Sequence, residues 1–383
     1  MIDAYHRVVQ VKITDVRTAI VTRTYANGPR NTHHVWSERR YLLVSVDTDQ
    51  GIFGLGEIYT DSHNATEVLE LAVRLDVAPH LIGRDPLAIG AISAELEARQ
   101  TLSGRAGGFG PILAGVDIAL WDILGKVAGQ PLWKLLGGHS GRARTYASGG
   151  MYGEDITPES LGQEMASAVA DGDFGVKIKA GAASLSEDVA RVAAVRKAIG
   201  PDVALMVDAM FAPGLPEALR LAHALRPYDL HFLEAPTHAL DLAGWVRIRD
   251  DAGIPLSGPE LESSLDLMRD ILARDIVQFL QFDVTLAGGL TRGRDLAALA
   301  RAHHRPVTLH CATSAVGLAA SLHLGGAIAN CDSVEHHVLH QGLHEHLWAS
   351  GWRRENGMVA APDAPGLGIP FDLDDILQME TRR

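Results

Sequence analysis

Cysteine is almost absent: the chain of 383 residues carries two, Cys311 and Cys331. They form no Cys-x-x-Cys pair, so a thiolate metal site and a disulfide framework are both excluded, and buried reduced thiols in a reducing cytoplasm are expected. No apolar run approaches the length of a transmembrane helix, so no membrane partner is expected. The first residues, MIDAYHRVVQVKITDV, mix charges with β-branched side chains and lack the apolar core of a signal peptide. Basic runs are missing too. A formal net charge of −13 suits neither nucleic acid nor an anionic bilayer. What is present is apolar mass: 47% hydrophobic residues, enough for one large domain or two. Eighteen histidines are many, but the pairs His33-His34, His303-His304 and His336-His337 lack metal-site spacing.

The first part reads as an α+β unit. RYLLVSVDT and GIFGLGEIY are strand-like runs around Asp49-Gln50-Gly51, a hairpin signal. The glycines of GIFGLGE precede no helix pattern, so they read as turn and strand glycines, not a phosphate loop. Helical periodicity follows from about Asn64 to Leu81 and from about Asp85 to Leu102. In GGFGPILAGVDIALWDILGKVAGQPLWKLLGG, Pro111 opens a helix and Gly129 stops it. From about Arg142 the texture changes. Eight short apolar runs (RTYASG, GVKIKAG, VALMVDAM, LHFLEAP, IPLSGPE, IVQFLQFDV, RPVTLHCA, CDSVEHH) alternate with amphipathic helices, which argues for a parallel sheet closed into a barrel. The expected division is 1–141, a capping unit with junction helices; 142–339, the barrel; and 340–383, a loop-rich segment with a short terminal helix that returns to the N-terminal unit.

One run raises a question. In GVKIKAG, alternation along a strand points Lys177 and Lys179 to the same side, where like charges repel and each loses hydration. Taken alone, the stretch reads as a half-exposed strand with a solvated face. The other runs change that. They end in Asp208, Glu234, Glu260, Asp283, His310 and Glu335, at successive spacings from Lys179 of 29, 26, 26, 23, 27 and 25 residues. Each interval fits one strand, one helix and two short loops. In a βα barrel the C-terminal strand ends converge on one mouth, so these side chains meet in space. Asp208, Glu234 and Glu260 are consecutive carboxylates whose repulsion a hard divalent cation removes. All-oxygen ligands without nearby cysteine point to Mg²⁺ over Zn²⁺.

The series Lys177-x-Lys179, Asp208, Glu234, Glu260, FDVTLAGGLT around Asp283, His310 and Glu335 resembles the enolase superfamily, in its mandelate racemase subgroup, as does ALWDILGKVAGQPLWKLLGG. The resemblance runs over nearly the whole chain. It implies an α/β fold, a modified (β/α)7β TIM barrel closed by an α+β capping domain formed from the N-terminal part and the C-terminal segment. It also implies abstraction of the proton α to a carboxylate, with one Mg²⁺ per subunit stabilising the enediolate. Two departures are Asp208-Ala209-Met210 and Glu234-Ala235-Pro236, where similar members read Asp-Ala-Asn and Glu-Glu-Pro, so the polar surroundings of the metal differ.

The resemblance gives the paired lysines a purpose: Lys179 serves as base, and Lys177 lowers its pKa and binds the substrate carboxylate. Asp283 fixes the tautomer of His310, which moves a proton from the other ring nitrogen. Glu335, kept protonated by its neighbours, donates a hydrogen bond to the carboxylate. Arg30, His33, His34, Tyr59 and His63 make a polar lid suited to a polyol acid. The expected reaction is dehydration of an aldonate or aldarate to a 2-keto-3-deoxy acid. Racemisation or epimerisation, lactone opening by a cycloisomerase, and a non-catalytic metal-binding barrel are the alternatives. The expected partners are a small-molecule carboxylate and further copies of the chain in a homo-oligomer.

Overall fold

The structure, a computed structural model, describes residues 11–25, 28–60, 63–103, 109–211, 213–340 and 354–381. Three antiparallel strands open the chain: β1 (Ile13–Thr24), β2 (Glu38–Thr48) and β3 (Phe53–Ile58), in the order β1-β2-β3. The expected hairpin joins β2 to β3, with Gly51 at φ 70°, a value glycine adopts without steric cost. The glycines of GIFGLGE lie within β3 and let a helix sit directly on the strand. A Cβ on Gly54 would overlap the carbonyl of Ala119, and one on Gly56 that of Gly115. The helix is Phe109–Ala128, buried along nearly its whole length between cap and barrel. The helical stretch expected up to Leu81 consists of His63–Ala72 and Ala78–Leu81 joined by a π-helical turn, and the next helix runs Ile89–Ser103.

All eight runs read as barrel strands are strands. They are β4 (Arg142–Ser148), β5 (Gly175–Lys179), β6 (Ala204–Asp208), β7 (Phe232–Glu234), β8 (Leu256–Gly258), β9 (Phe279–Asp283), β10 (Val307–His310) and β11 (Cys331–His337). Each pairs in parallel with the next, and β11 pairs with β4 to close the ring. A helix crosses between each consecutive pair, which gives the (β/α)7β pattern. Outward residues such as Val176, Ile178, Leu205, Val207 and Leu233 join the main apolar core beneath the helices. Inward residues Tyr146, Met206 and Phe232 form a separate apolar plug inside the barrel. The chain then returns. The hairpin of β12 (Arg354–Glu355) and β13 (Met358–Ala360) extends the sheet at β4. The last helix, Leu373–Thr381, packs on β1, where Arg17 pairs with Asp374 at 2.8 Å. Among the described residues no helix is long and apolar enough to cross a membrane.

Buried carboxylates lock cap to barrel. Glu57, on β3, accepts hydrogen bonds from Ser314 N (2.9 Å), Ser314 Oγ (2.6 Å) and Gly317 N (3.0 Å). These groups open the helix Ala315–Ala327 that follows β10, so a cap residue satisfies the orphan donors of a barrel helix. Asp117 does the same for Thr291 N and Oγ1, at 3.0 and 2.5 Å, in the helix Gly289–Ala302. Asp122 ties Leu55 N, Leu367 N and Lys126 together, so β3 and the returning C-terminal segment share one anchor. The cap thereby fixes the orientation of the elements that carry Asp283 and His310. Glu57→Ala leaves three buried donors unpaired and is expected to cost about 2–4 kcal/mol, read as a fall in the denaturant midpoint. A loss below about 0.5 kcal/mol would mean that Glu57 does not hold the cap.

Candidate active site

All five residues of β5 are buried. Alternation sends Val176 and Ile178 outward into the core and both lysines into the barrel. The half-exposed reading fails: Lys177 is 0% and Lys179 5% exposed. Each ammonium has found carboxylates. Lys177 Nζ lies 2.8 Å from both oxygens of Glu234 and 3.0 Å from Glu335 Oε2. Tyr146 Oη adds a contact at 3.4 Å to Lys177. Lys179 Nζ lies 2.5 Å from Asp208 Oδ2 and 3.6 Å from the Met210 sulfur.

Asp208 and Glu234 end β6 and β7, while Glu260 sits two residues beyond β8. Despite that offset, one carboxylate oxygen from each of the three lies within 4.8 Å of the others, and all three residues are buried. The charges are unevenly compensated. Lys179 and Lys177 hold Asp208 below the usual carboxylate range, against the cost of burial. Burial pushes Glu234 up although Lys177 touches it. Among the described residues no lysine or arginine pairs with Glu260, and only the charge of His310 acts to lower its pKa from a neighbouring side chain. Burial, then the charges of Glu234 and Asp208, drive its pKa well up, and its Oε2 has no hydrogen-bond partner. An orphaned buried oxygen in an all-oxygen donor set is what a hard divalent cation satisfies, so these three residues fit Mg²⁺.

His310 ends β10 beside Asp283, which ends β9 in the paired register position. Its Nδ1 lies 2.7 Å from Asp283 Oδ2. The other oxygen of Asp283 accepts from Thr285 N and Oγ1, at 2.7 and 2.6 Å, so the carboxylate cannot turn away. Burial alone would lower the imidazole pKa. The charge of Glu335, 3.8 Å from Nε2, and the bond to Asp283 outweigh it and raise the value to about 9.

Three expectations are corrected. Glu335 lies within β11, not at its end, and its surroundings favour the carboxylate over the expected protonated form. Lys177 and then His310 overcome burial and hold it well below the ordinary glutamate value. Burial and the charge of Lys177 both push the pKa of Lys179 down, as expected, but the charge of Asp208 outweighs them and the value is raised instead. Of the expected lid residues, Tyr59 lines the cavity, whereas Arg30, His33 and His34 do not. Arg30 is exposed, stacks over Tyr152, and ties the loop to the barrel through backbone bonds to that residue. His33 is exposed and reaches the Met210 carbonyl at 2.6 Å, and His34 faces solvent. Loop residues carry no periodicity, so nothing in the sequence says which side they face. His63 opens its helix, and its side chain lies outside the described residues.

Lys179, Glu260 and His310 share one enclosed cavity with Tyr59. Asn31, Trp36 and Arg39 roof it, and Met210 and His337 add to its walls. Asn31 Nδ2 and Trp36 Nε1 are buried donors without a partner. Lys177 and Glu335 do not line the cavity; they lie deeper in the barrel. Its volume, about 30 Å³, holds roughly one water, so a larger ligand is admitted only as the roof or the lysines move. His337 escaped the sequence reading, although it stands two residues after Glu335 and therefore on the same strand face.

Comparison with known proteins agrees with this geometry. Residues 13–137 match the N-terminal domain model of the mandelate racemase / muconate lactonizing enzyme family, and residues 160–376 match the enolase C-terminal domain-like model. An arabinonate dehydratase of Saccharolobus solfataricus is 29% identical, over 93% of this chain and 92% of its own. A 3,6-anhydro-alpha-L-galactonate cycloisomerase of Streptomyces coelicolor is 32% identical, over 90% and 92%. The crystal structure of a racemase from Streptomyces coelicolor A3(2) with bound magnesium superposes with a TM-score of 0.86 at 30% identity, covering 96% of this chain and 99% of that one. With both of its domains matched, the chain belongs to the mandelate racemase / muconate lactonizing enzyme family of the enolase superfamily.

Proposed function

We propose that this protein is a Mg²⁺-dependent dehydratase of an acid sugar, an aldonate or aldarate. It removes the proton α to the carboxylate and expels the β-hydroxyl, giving a 2-keto-3-deoxy acid. Asp208, Glu234 and Glu260 would hold the cation, which when bound would supply positive charge to the substrate carboxylate and to the anion left by proton loss, and would compete with Lys179 for Asp208. Lys179, at the cavity wall, then takes the α-proton. Lys177 keeps Glu234 and Glu335 neutralised from below, and it reaches the substrate carboxylate only by releasing one of them. His310 gives its proton to the departing hydroxyl.

The observation that carries dehydration is the setting of His310, with Asp283 2.7 Å from Nδ1 and Glu335 3.8 Å from Nε2. Both carboxylates favour its protonated form, a ready acid for a departing hydroxyl. The unpartnered donors of Asn31 and Trp36 suit a hydroxylated chain, and the arabinonate dehydratase relative supports the same reading. Opening of a cyclic sugar acid is the second reading, favoured by the cycloisomerase relative; there the ring oxygen leaves from the β-carbon through the same residues.

The imidazole of His310 is expected to titrate near pH 9 by NMR in the metal-free protein. Because its folded pKa lies above the unfolded 6.5, its contribution to stability is complete below pH 6.5 and is lost as the pH rises through about 9. Glu335→Gln and Asp283→Asn should each move the titration back toward 6.5; an unmoved midpoint in both would remove the basis for His310 as the acid. Lys179→Ala is expected to slow α-hydrogen exchange in D₂O by on the order of 10²–10⁴-fold. Mass spectrometry over a panel of acid sugars should find a product lighter by one water. Product of unchanged mass with every substrate would exclude dehydration.

A further inference from the structure

His337 stands where neither the metal site nor the two proton-transfer residues use it. It is 4% exposed and lines the cavity together with Lys179, Glu260 and His310. Its Nδ1 accepts the backbone N–H of Leu339 at 3.3 Å. That bond fixes the tautomer, so the ring hydrogen sits on Nε2. No described residue accepts a hydrogen bond from this Nε2. The ring packs on His340, 4.9 Å away between centroids, and His340 is itself anchored by Tyr41 Oη at 2.6 Å from its Nδ1. His337 is thus held in the cavity wall with an Nε2–H that no described residue takes up.

Barrel order says what that N–H faces. The ring runs β4 to β11 and closes, so β11 lies four strands from β7, across the barrel from Glu234. The carboxylate triad occupies the arc β6 to the end of β8. Lys179 on β5 and His310 on β10 stand at the two ends of the opposite arc, and β11 lies within it. A substrate with its carboxylate toward the triad and its α-carbon between Lys179 and His310 turns its β-carbon toward His337.

On the dehydratase reading above, we propose that His337 is a catalytic residue that donates its Nε2–H to the oxygen leaving the β-carbon. The balance is as follows. Lys179 takes the α-proton, and the electron pair left behind forms the Cα=Cβ bond as the Cβ–O bond breaks. The oxygen departs with that bond's pair and receives the proton of the His310 imidazolium, so the elements of one water are lost. His337 keeps its own proton throughout and stabilises charge growing on the oxygen. A neutral imidazole suits this role because it donates without competing as an acid. Burial, then the charge of Lys179, keeps His337 neutral.

The test separates exchange from elimination in wild type, His337→Phe and His337→Gln with Mg²⁺ present. Phe preserves bulk and removes the donor; Gln restores an N–H at similar reach. In His337→Phe, 2-keto acid release is expected to fall by about 10- to 100-fold, while α-hydrogen exchange in D₂O stays within about threefold, as expected when base and metal ligands are untouched. His337→Gln should regain about tenfold in release. Release at the wild-type rate in His337→Phe overturns the proposal. So does an equal loss of exchange and release in both variants, which marks a packing role. A wild-type protein that exchanges the α-hydrogen but releases no keto acid overturns the dehydratase reading itself, and the leaving-oxygen role with it.

Discussion

The barrel mouth holds more negative than positive charge in a space closed to water. Asp208, Glu234, Glu260, Glu335 and Asp283 are all at most 2% exposed, and among the described residues Lys177, Lys179 and His310 are the cationic side chains that pair with them. Transferring an ion from water into such a place costs several kcal/mol even after relaxation. The side chains therefore arrange themselves to divide the available positive charge. Lys177 bridges two glutamates, Lys179 leans onto Asp208, and His310 stays protonated between Asp283 and Glu335. One carboxyl, Glu260, is left over. The imbalance explains why the three ligand candidates differ so much although they have the same chemistry, and it makes a bound divalent cation the simplest completion of the set.

Such a cluster needs a frame that cannot relax away from it. The parallel ring supplies most of that frame, because each strand end is fixed by its neighbours and by outward residues packed beneath helices. The cap supplies the rest. Glu57, Asp117 and Asp122 are buried acids with no part in the chemistry, yet each is saturated by backbone N–H groups of another layer. They join strand β3 and the junction helix to the starts of the helices after β9 and β10. Backbone pairing of Arg30 with Tyr152, and the bond from Arg39 Nη2 to the Ala312 carbonyl at 3.1 Å, tie the segment of Asn31, Trp36 and Arg39 to the barrel above the reacting residues.

The fold was legible because period-two strands and helical repeats alternate at a βα spacing, and because each interval of about 25 residues ends in a polar side chain. That spacing also announced Asp208, Glu234, Asp283 and His310, which end their strands, and Glu260, two residues past its own. What the sequence could not carry was the charge state of each group. The protonation of Glu335 depends on how near Lys177 comes, and that is a matter of packing inside the ring. Lid residues were misread for a related reason. Arg30, His33 and His34 lie in a loop whose direction is set by backbone pairing to Tyr152, with no periodicity to reveal it. His337 was readable in principle: Glu335 points inward, so the residue two further on does as well.

The account stands or falls on the unpaired carboxylate. Isothermal titration of metal-free protein with MgCl₂, set beside Glu260→Gln, addresses it most directly. It predicts saturation at one Mg²⁺ per chain, with a thermal midpoint that rises with Mg²⁺ concentration, and an affinity at least about tenfold weaker in the variant. Equal affinity in wild type and Glu260→Gln, or no Mg²⁺ binding by the wild type, would contradict it.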